Sequence, residues 1–419
     1  MIGNKSNKKK FNSRFWLNFF IISIIAPIIT DILKCFSFPD FIVKPFGIID
    51  ELFVVILVIT TFFKYRKIEI GTFEILLIIF VITGFYSNYR NNVPIDVSIM
   101  GAFNIIKAML IYICFKQFDF SSREIIGILN KLCLLLPLIV ISDLFDIIWP
   151  DFRNAIGYNA EQLPEQRAGL MSVYGFLRPT SITFLCNTIF VACTIYFRKR
   201  KIYKVLSTLM LFLTLKVKDT IAFVMVVVFS LTKKIKKIYI VGAAVFFGLL
   251  FFLYTIMLPE HYEQYFRDEA RDSNARAATV FTCVQIVYDH FPFGVGFGRF
   301  ASSTAEKYES PVYSDYGIDK IYGLDYDNNS EFINDSFWPM IFGETGILGA
   351  IEYIGLLILC FYPFLKRYFQ NTHDHRYSFV SLVFIFAFVC SLAKATLNGP
   401  PDSHLIWGFA GIYYKLAFK

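Results

Sequence analysis

Five basic residues of this chain are candidates for binding an anion. Arg178 opens an apolar segment, and Arg276 lies in the first turn of a predicted helix. Lys216 and Lys218 separate two short apolar stretches, outside any basic loop. Guanidinium and ammonium groups bind phosphate oxygens, and Arg does so through a bidentate fork. These four residues suit a diphosphate group, and Arg299, which follows a glycine-rich run, is a further candidate contact.

Two of these residues have structural alternatives that the sequence leaves open. Arg276 has acidic residues just upstream with which an ion pair is possible, at Asp268, Glu269 and Asp272. A buried cation needs such a partner unless a ligand supplies the negative charge. Arg178 has the alternative of extending its charged head from an apolar segment to the membrane surface, as interfacial arginines do.

Two acidic residues lie at the start of a late apolar segment. Asp335 precedes it in the stretch 334–339, where a general base would face an incoming hydroxyl group. Capping of the following helix is the alternative role for Asp335. Glu344 lies inside the segment and needs a partner, which we expect to be a Lys or Arg of the anion-binding set. Asn334 and His290 are further candidates for contacting a ligand or for shaping the loop around it.

Alternating glycines at Gly294, Gly296 and Gly298 resemble a dinucleotide-binding fingerprint. They follow a predicted helix and lack the strand-turn-helix context, so we reject that interpretation. We expect them to let the backbone approach a neighbour or a ligand closely. The five His show no metal-binding spacing such as HExxH, and the eight Cys include no CxxC pair. The sequence therefore predicts chemistry without a metal or cofactor.

The composition is that of a membrane protein. Of the 419 residues, 56% are hydrophobic and only 18% are charged, against about a quarter in soluble proteins. The apolar residues come in blocks of roughly 17–25, the length that a helix needs to cross a bilayer. The net charge of +8 comes from Lys and Arg runs between these blocks, as the positive-inside rule describes, and does not indicate nucleic-acid binding.

The blocks predict an all-α polytopic membrane protein with twelve transmembrane helices and both termini cytoplasmic. This count takes 202–232 as two short helices meeting at a charged turn on the outer side, because a single span would invert the basic loops that follow. Three regions result, namely 1–257 with nine helices, an outer loop at 258–336, and 337–419 with three helices. The predicted segments are 15–33, 45–63, 71–87, 97–116, 124–148, 178–197, 202–217, 219–232, 238–257, 337–365, 378–396 and 402–418.

The long outer loop has 14 acidic and 6 basic residues. Ser273 or Asn274 can cap a helix that runs from Ala277 to Tyr288, and the sequence His290-Phe-Pro ends it. This helix is apolar nearly all round, so we expect it to be buried against the membrane helices.

Several of these motifs resemble the O-antigen polymerase and O-antigen ligase superfamily. The resemblance rests on Arg276 with its apolar helix, on the stretch 289–298, and on the stretch 343–349. Arg178-Pro-Thr-Ser resembles the Arg-bearing sixth segment of the family, and 216–219 lies where members often carry Ser-Arg. The chain departs from the family at 334–335, where it has Asn-Asp and many members, the ligases especially, have His-Asn.

The resemblance implies a GT-C-like glycosyltransferase with a large outer loop between helices 9 and 10, in the bacterial cytoplasmic membrane. Its expected substrates are polyprenyl-diphosphate-linked oligosaccharide units, joined into O-antigen, capsule or exopolysaccharide. Other expected partners are membrane lipid, a chain-length regulator and a flippase. The diphosphate would contact the basic set, Asp335 would act as the base, and the Tyr-rich acidic stretch 308–335 would hold the glycan.

Two other functions remain open from the sequence. A ligase that transfers finished glycan to lipid A core or protein would share the donor site, although the Asn-Asp departure favours a polymerase. A transporter or lipid-linked sugar flippase would tend to show inverted repeats and a site at the midplane of the membrane. The chain has no visible internal repeat, and its candidate charges gather towards one face.

Overall fold

A computed structural model describes residues 13–36, 38–65, 70–149, 166–167, 170–177, 179–231, 274–370 and 374–418. Most of these residues are helical, and the strands among them are an antiparallel pair of two residues each, β1 (Gln166–Arg167) and β2 (Leu170–Met171). The helices are α1 (Ser13–Cys35), α2 (Asp40–Tyr65), α3 (Thr72–Arg90), α4 (Ile95–Phe115), α5 (Ser122–Cys133), α6 (Leu136–Ile148), α7 (Pro179–Ile195), α8 (Lys201–Leu213), α9 (Val217–Leu231), α10 (Ala275–Asp289), α11 (Ser303–Lys307), α12 (Val312–Asp315), α13 (Phe337–Gln370), α14 (His375–Ser391) and α15 (Asp402–Phe418).

Within the described ranges, six helical stretches are long and apolar enough to cross a membrane. Two shorter apolar stretches, Ser181–Ile195 and His375–Ser391, add to them. The fold is therefore that of an all-helical membrane protein, as the sequence predicts. The six long stretches are Ser13–Lys34, Phe41–Lys64, Thr72–Arg90, Ile95–Phe115, Ser122–Ile148 and Phe337–Gln370.

Eleven of the twelve predicted segments coincide with helices, and the twelfth, 238–257, lies outside the described residues. The predicted break near 216–219 is confirmed, because α8 and α9 are separate helices joined by 214–216, with Leu215 at a φ of 50°. Two boundaries differ from the prediction. Segment 124–148 is divided into α5 and α6, and segment 378–396 ends as a helix at Ser391. The stretch after Ser391 contains Gly399, Pro400 and Pro401, which do not continue a helix.

The glycine run and α13 are joined by backbone hydrogen bonds. The amides of Val295 and Gly296 donate to the carbonyls of Gly343 and Glu344, at 2.9 and 2.8 Å. In return, the amide of Leu348 donates to the carbonyl of Pro292, at 3.2 Å. These bonds need an interruption in α13, because a regular helix uses its own carbonyls. Gly346 provides it with a φ of 68°, a conformation that a side chain would strain.

The same run packs against the end of α3. The side chain of Asn88 accepts from the amide of Phe297 at 2.7 Å and donates to its carbonyl at 3.1 Å. Ser87 donates from its hydroxyl to the carbonyl of Gly294 at 2.6 Å. The predicted role of Gly294, Gly296 and Gly298 in close backbone approach is therefore confirmed, and the neighbour is the protein itself. We call the contact between 292–298 and 343–348 the glycine interlock.

We expect the substitution Gly294→Ala to destabilise the protein by about 1–3 kcal/mol, the usual cost of overpacking. A Cβ at this position would lie 2.2 Å from the carbonyl oxygen of Gly343, and a backbone atom cannot rotate away. The matched control is Gly127→Ala in α5, where a Cβ meets nothing within 4 Å and raises helix propensity. The measurement is the thermal unfolding midpoint of purified protein in detergent. Equal midpoints for the two variants would contradict the proposed packing.

Candidate functional site

Helix α10 begins with a side-chain cap that sets the direction of Arg276. The Asn274 side chain accepts hydrogen bonds from the amides of Arg276 and Ala277, at 3.0 and 3.2 Å, so one of the two predicted caps is confirmed. One face of α10 is buried against the protein, including Ala278, Thr282 and Ile286. The helix therefore packs against the protein as predicted, but on one side only, because its opposite face is exposed.

Arg276 and Asp335 form an ion pair. The guanidinium donates to Asp335 Oδ2 from both Nε, at 3.2 Å, and Nη2. Residues 268–272, the acidic alternatives for this pairing, lie outside the described residues. The side chains of Arg276 and Asp335 are 42% and 32% exposed, so the pair is open to a ligand. The predicted anion contact and the predicted base are therefore bound to each other.

Lys218, in the first turn of α9, lies beside this pair. Its ammonium group donates to the carbonyl of Ala393 at 2.7 Å, which connects α9 to the segment after α14. It is close enough to Arg276 and Asp335 for electrostatic interaction with both, and it also interacts with Lys394. Lys216 lies two residues earlier, in the turn before α9.

A second ion pair lies deeper in the same region. Lys394 binds the buried Asp402 at the start of α15, with 2.5 Å between Nζ and Oδ2. Asp219, also buried, accepts from Thr183 Oγ1 at 2.9 Å and from Cys390 Sγ at 3.1 Å. We call these six charged residues the ion cluster, and they are Lys218, Arg276, Lys394, Asp219, Asp335 and Asp402.

The ion cluster joins three cations to three carboxylates, so its charges balance. The sequence leaves an ion pair open as the alternative for Arg276, and in the structure its partner is Asp335. The physical reason for such pairing is the cost of burying an uncompensated charge. Asp402 and Asp219 are buried, whereas Arg276 and Asp335 reach solvent. A ligand anion would therefore meet the Arg276–Asp335 pair first.

Two predicted contacts lie elsewhere in the described part of the chain. Arg178 falls outside the described residues. Arg299 interacts with Asp315 and Tyr326 in the loop after α10. His290 caps the C-terminal end of α10, at the opposite end from Arg276, and burial lowers its pKa. Of the predicted basic residues that the structure describes, Lys216, Lys218 and Arg276 therefore lie on or beside the ion cluster.

Glu344 is fully buried, and its partners correct the prediction. Its Oε1 accepts from the amide of Phe300 at 3.2 Å and from the hydroxyl of Ser302 at 2.7 Å, rather than from a Lys or Arg. The carboxylate therefore holds the loop that follows the glycine interlock. Asn334 has a similar structural contact, because its amide donates to Glu306 Oε2 at 2.8 Å.

Sequence reasoning did not single out Asp219, Lys394 or Asp402. Lys394 carries a signal that was available, because the predicted topology places it near the outer end of its segment, where orientation needs no cation. Asp219 and Asp402 lie in first turns of helices, where the helix dipole favours a carboxylate. An acidic residue at such a position therefore does not by itself indicate a functional site.

A separate ionic group lies within the helical bundle. Lys107 on α4 binds Asp50 on α2, with 3.1 Å between Nζ and Oδ2, and both side chains are less than a tenth exposed. His404 on α15 is fully buried and interacts electrostatically with both. Among the described residues, neither ring nitrogen of His404 has a hydrogen-bond partner.

Sequence comparison assigns no family. The chain matches no protein-family model, and it has no significant match among functionally characterised proteins. The resemblance to the O-antigen polymerase and ligase superfamily therefore rests on the quoted motifs. Two of these motifs, 289–298 and 343–349, contact each other directly through the glycine interlock.

We expect the two ion pairs to differ in their effect on stability. Asp402→Asn leaves Lys394, whose side chain is only 19% exposed, without the carboxylate that binds it and should destabilise the protein by about 3–5 kcal/mol. Asp335→Asn removes a pair that is partly exposed and should cost at most about 1 kcal/mol. Thermal unfolding of both purified variants tests this difference. Equal losses would show that the Arg276–Asp335 pair is as structural as the deeper one.

Proposed function

We propose that this protein is a membrane-embedded glycosyltransferase that polymerises polyprenyl-diphosphate-linked oligosaccharide units. The observation that carries the proposal is the solvent-accessible pair of Arg276 and Asp335 beside Lys218. Two cations able to hold a diphosphate stand next to a carboxylate able to accept a proton. The motif resemblance points to the same chemistry.

In this reaction a hydroxyl oxygen of the acceptor sugar attacks the anomeric carbon of the donor glycan. A bond from that oxygen to the anomeric carbon forms, the bond from the anomeric carbon to the diphosphate breaks, and the lipid diphosphate leaves with the electron pair. Arg276 and Lys218 would stabilise the negative charge on the leaving group. Asp335 would accept the hydroxyl proton.

The ion pair would link binding of the donor to the availability of the base. Without a ligand, Asp335 Oδ2 is occupied by the hydrogen bonds that the Arg276 guanidinium donates. An arriving diphosphate competes for the guanidinium and frees the carboxylate at the moment when a proton acceptor is needed. The donor would therefore activate the base that its own reaction uses, and the scheme needs no metal or nucleotide cofactor.

The proposal places the reaction at the outer face of the bacterial cytoplasmic membrane, with both termini in the cytoplasm. The basic loops between apolar segments support this orientation. A flippase would deliver the lipid-linked units to this face, and a chain-length regulator would set the size of the product. A polymerase is favoured over a ligase because Asn334-Asp335 replaces the His-Asn of many ligases.

A transporter or flippase is the second candidate. The observation in its favour is the buried group of Lys107, Asp50 and His404, because ionisable residues within membrane helices often mark transport pathways. An assay in lipid nanodiscs separates the two functions, since a nanodisc has no second compartment. Glycosidic bond formation there requires an enzyme, and transport cannot produce it.

We expect Arg276→Ala to reduce polymer formation by about 10²–10³-fold, the usual cost of removing one donor to a developing anion. Arg276→Lys should retain part of the activity because it keeps the charge and loses the bidentate fork. The measurement is mass analysis of products from a synthetic polyprenyl-diphosphate-linked repeat unit and purified protein in nanodiscs. The control is Lys320→Ala, a cation whose side chain is 81% exposed. Normal product from stable Arg276→Ala would refute the assigned role.

Asp335→Asn should separate catalysis from donor binding. The amide cannot accept the hydroxyl proton, so we expect kcat to fall by about 10²–10⁴-fold. The KM for the donor should stay the same or decrease, because a neutral amide competes less well than a carboxylate for Arg276. Initial rates at varied donor concentration in the nanodisc assay measure both constants. An unchanged kcat would exclude Asp335 as the base.

A further inference from the structure

An open cleft lies between the exposed face of α10 and the short helix α12. Its volume is about 570 Å³. It lies at the C-terminal half of α10, away from the ion cluster at the N-terminal end, and it has no role in the mechanism above. The lining residues are Val284, Gln285, Tyr288, Asp289, Asp315 and Tyr316.

The side chains of this cleft have the chemistry of a carbohydrate site. Tyr288 is 85% exposed, so one face of its ring is available to pack against the apolar face of a sugar. The carboxylates of Asp289 and Asp315 accept hydrogen bonds from hydroxyl groups. Tyr316 donates to Asp289 Oδ2 at 3.1 Å. Burial and the nearby carboxylates raise the pKa of Tyr316, so its hydroxyl stays protonated.

The exposed apolar atoms of α10 also raise the question of contact with lipid. Val284 is 66% exposed, but it shares the cleft with the exposed carboxylates of Asp289 and Asp315. Carboxylates in contact with hydrocarbon are costly, whereas they are well solvated beside water and sugar hydroxyls. The cleft therefore favours a polar ligand over acyl chains.

The cleft stands at a fixed distance from the proposed diphosphate site, because one helix carries both. Val284 and Asp289 follow Arg276 by eight and thirteen residues, which corresponds to about 12 to 20 Å along the helix axis. We propose that this cleft is a glycan subsite, which binds sugars of the substrate several residues away from its diphosphate end. This inference rests on the proposed function and adds the place and the class of the bound sugars.

The charges of the cleft define the class of sugar. Two carboxylates within one cleft repel an acidic sugar and attract an amino group. Arg299, which interacts with Asp315, offsets part of this charge. The subsite should therefore prefer neutral or amino sugars over uronic acids.

Binding of lipid-free oligosaccharides tests the subsite. The probe is the mixture of oligosaccharides that mild acid releases from the polyprenyl-linked pool of the source cells, which carry neither lipid nor diphosphate. We expect wild-type protein in nanodiscs to bind them in saturation-transfer NMR and in titrations. Tyr288→Ala should weaken this binding at least tenfold, and Tyr288→Phe, which keeps the ring face, should retain it. Asp315→Asn should also weaken it.

Two controls separate the subsite from the diphosphate site. Tyr89→Ala removes a tyrosine that is 81% exposed at the end of α3, outside both the cleft and the stretch 308–335, and should leave binding unchanged. Arg276→Ala should also bind the probe normally, because the probe has no diphosphate. Unchanged binding by Tyr288→Ala, or no binding by wild-type protein, would overturn the subsite. If Arg276→Ala still polymerises while Tyr288→Ala loses binding, the diphosphate site fails and the subsite stands.

Discussion

The glycine interlock is the contact on which the position of the candidate site depends. Helix α10 is fixed at its C-terminal end where the backbone of 292–296 bonds to α13. These hydrogen bonds require two chains to approach at backbone distance, which is possible at Gly294 because no Cβ intervenes. They also require the interruption of α13 at Gly346. Since α10 is a rigid rod, this anchor determines where its first turn, and so Arg276, can lie.

Charge balance is the second constraint on the site. Burying a cation and a carboxylate together costs less free energy than burying either one without a partner. The ion cluster brings three cations and three carboxylates together. An anion that binds at such a place must replace a carboxylate as the partner of a cation, because no cation of the cluster is without a carboxylate nearby. Breaking the ion pair lowers the free energy gained on binding the anion. Before the anion arrives, however, the pair holds the guanidinium in a defined orientation. In the proposed reaction, this exchange would also couple the arrival of the diphosphate to the release of Asp335.

The sequence predicts the helices well because their signals are local. Apolar blocks indicate the membrane helices, Asn274 indicates the start of α10, and the charged residues at 216–219 indicate the break between α8 and α9. The close backbone approach at Gly294, Gly296 and Gly298 is also predicted from a local signal, the alternation of the glycines. Glycine has few uses in such a repeat other than to remove a side chain from a crowded contact.

The partners of the charged residues are not local and could not be predicted. Arg276 and Asp335 are separated by 59 positions, and Asp219 and Cys390 by 171, so their pairing depends on how the helices pack. Glu344 shows a different limit. Its main partners are a backbone amide and a hydroxyl, which are present throughout any sequence and become a site only when a loop is folded around the carboxylate.

Helix α10 depends both on local sequence signals and on long-range contacts. Its apolar run and its cap are visible in the sequence, whereas its neighbours at each end come from distant parts of the chain. A helix has a constant rise per residue, so it transmits a fixed spacing between Arg276 at one end and the cleft near Asp289 at the other. A flexible loop would allow each end to find its ligand separately. Under the proposed function, a rigid helix would instead suit a single substrate molecule whose diphosphate and distant sugars have the matching separation, and the spacing would contribute to specificity.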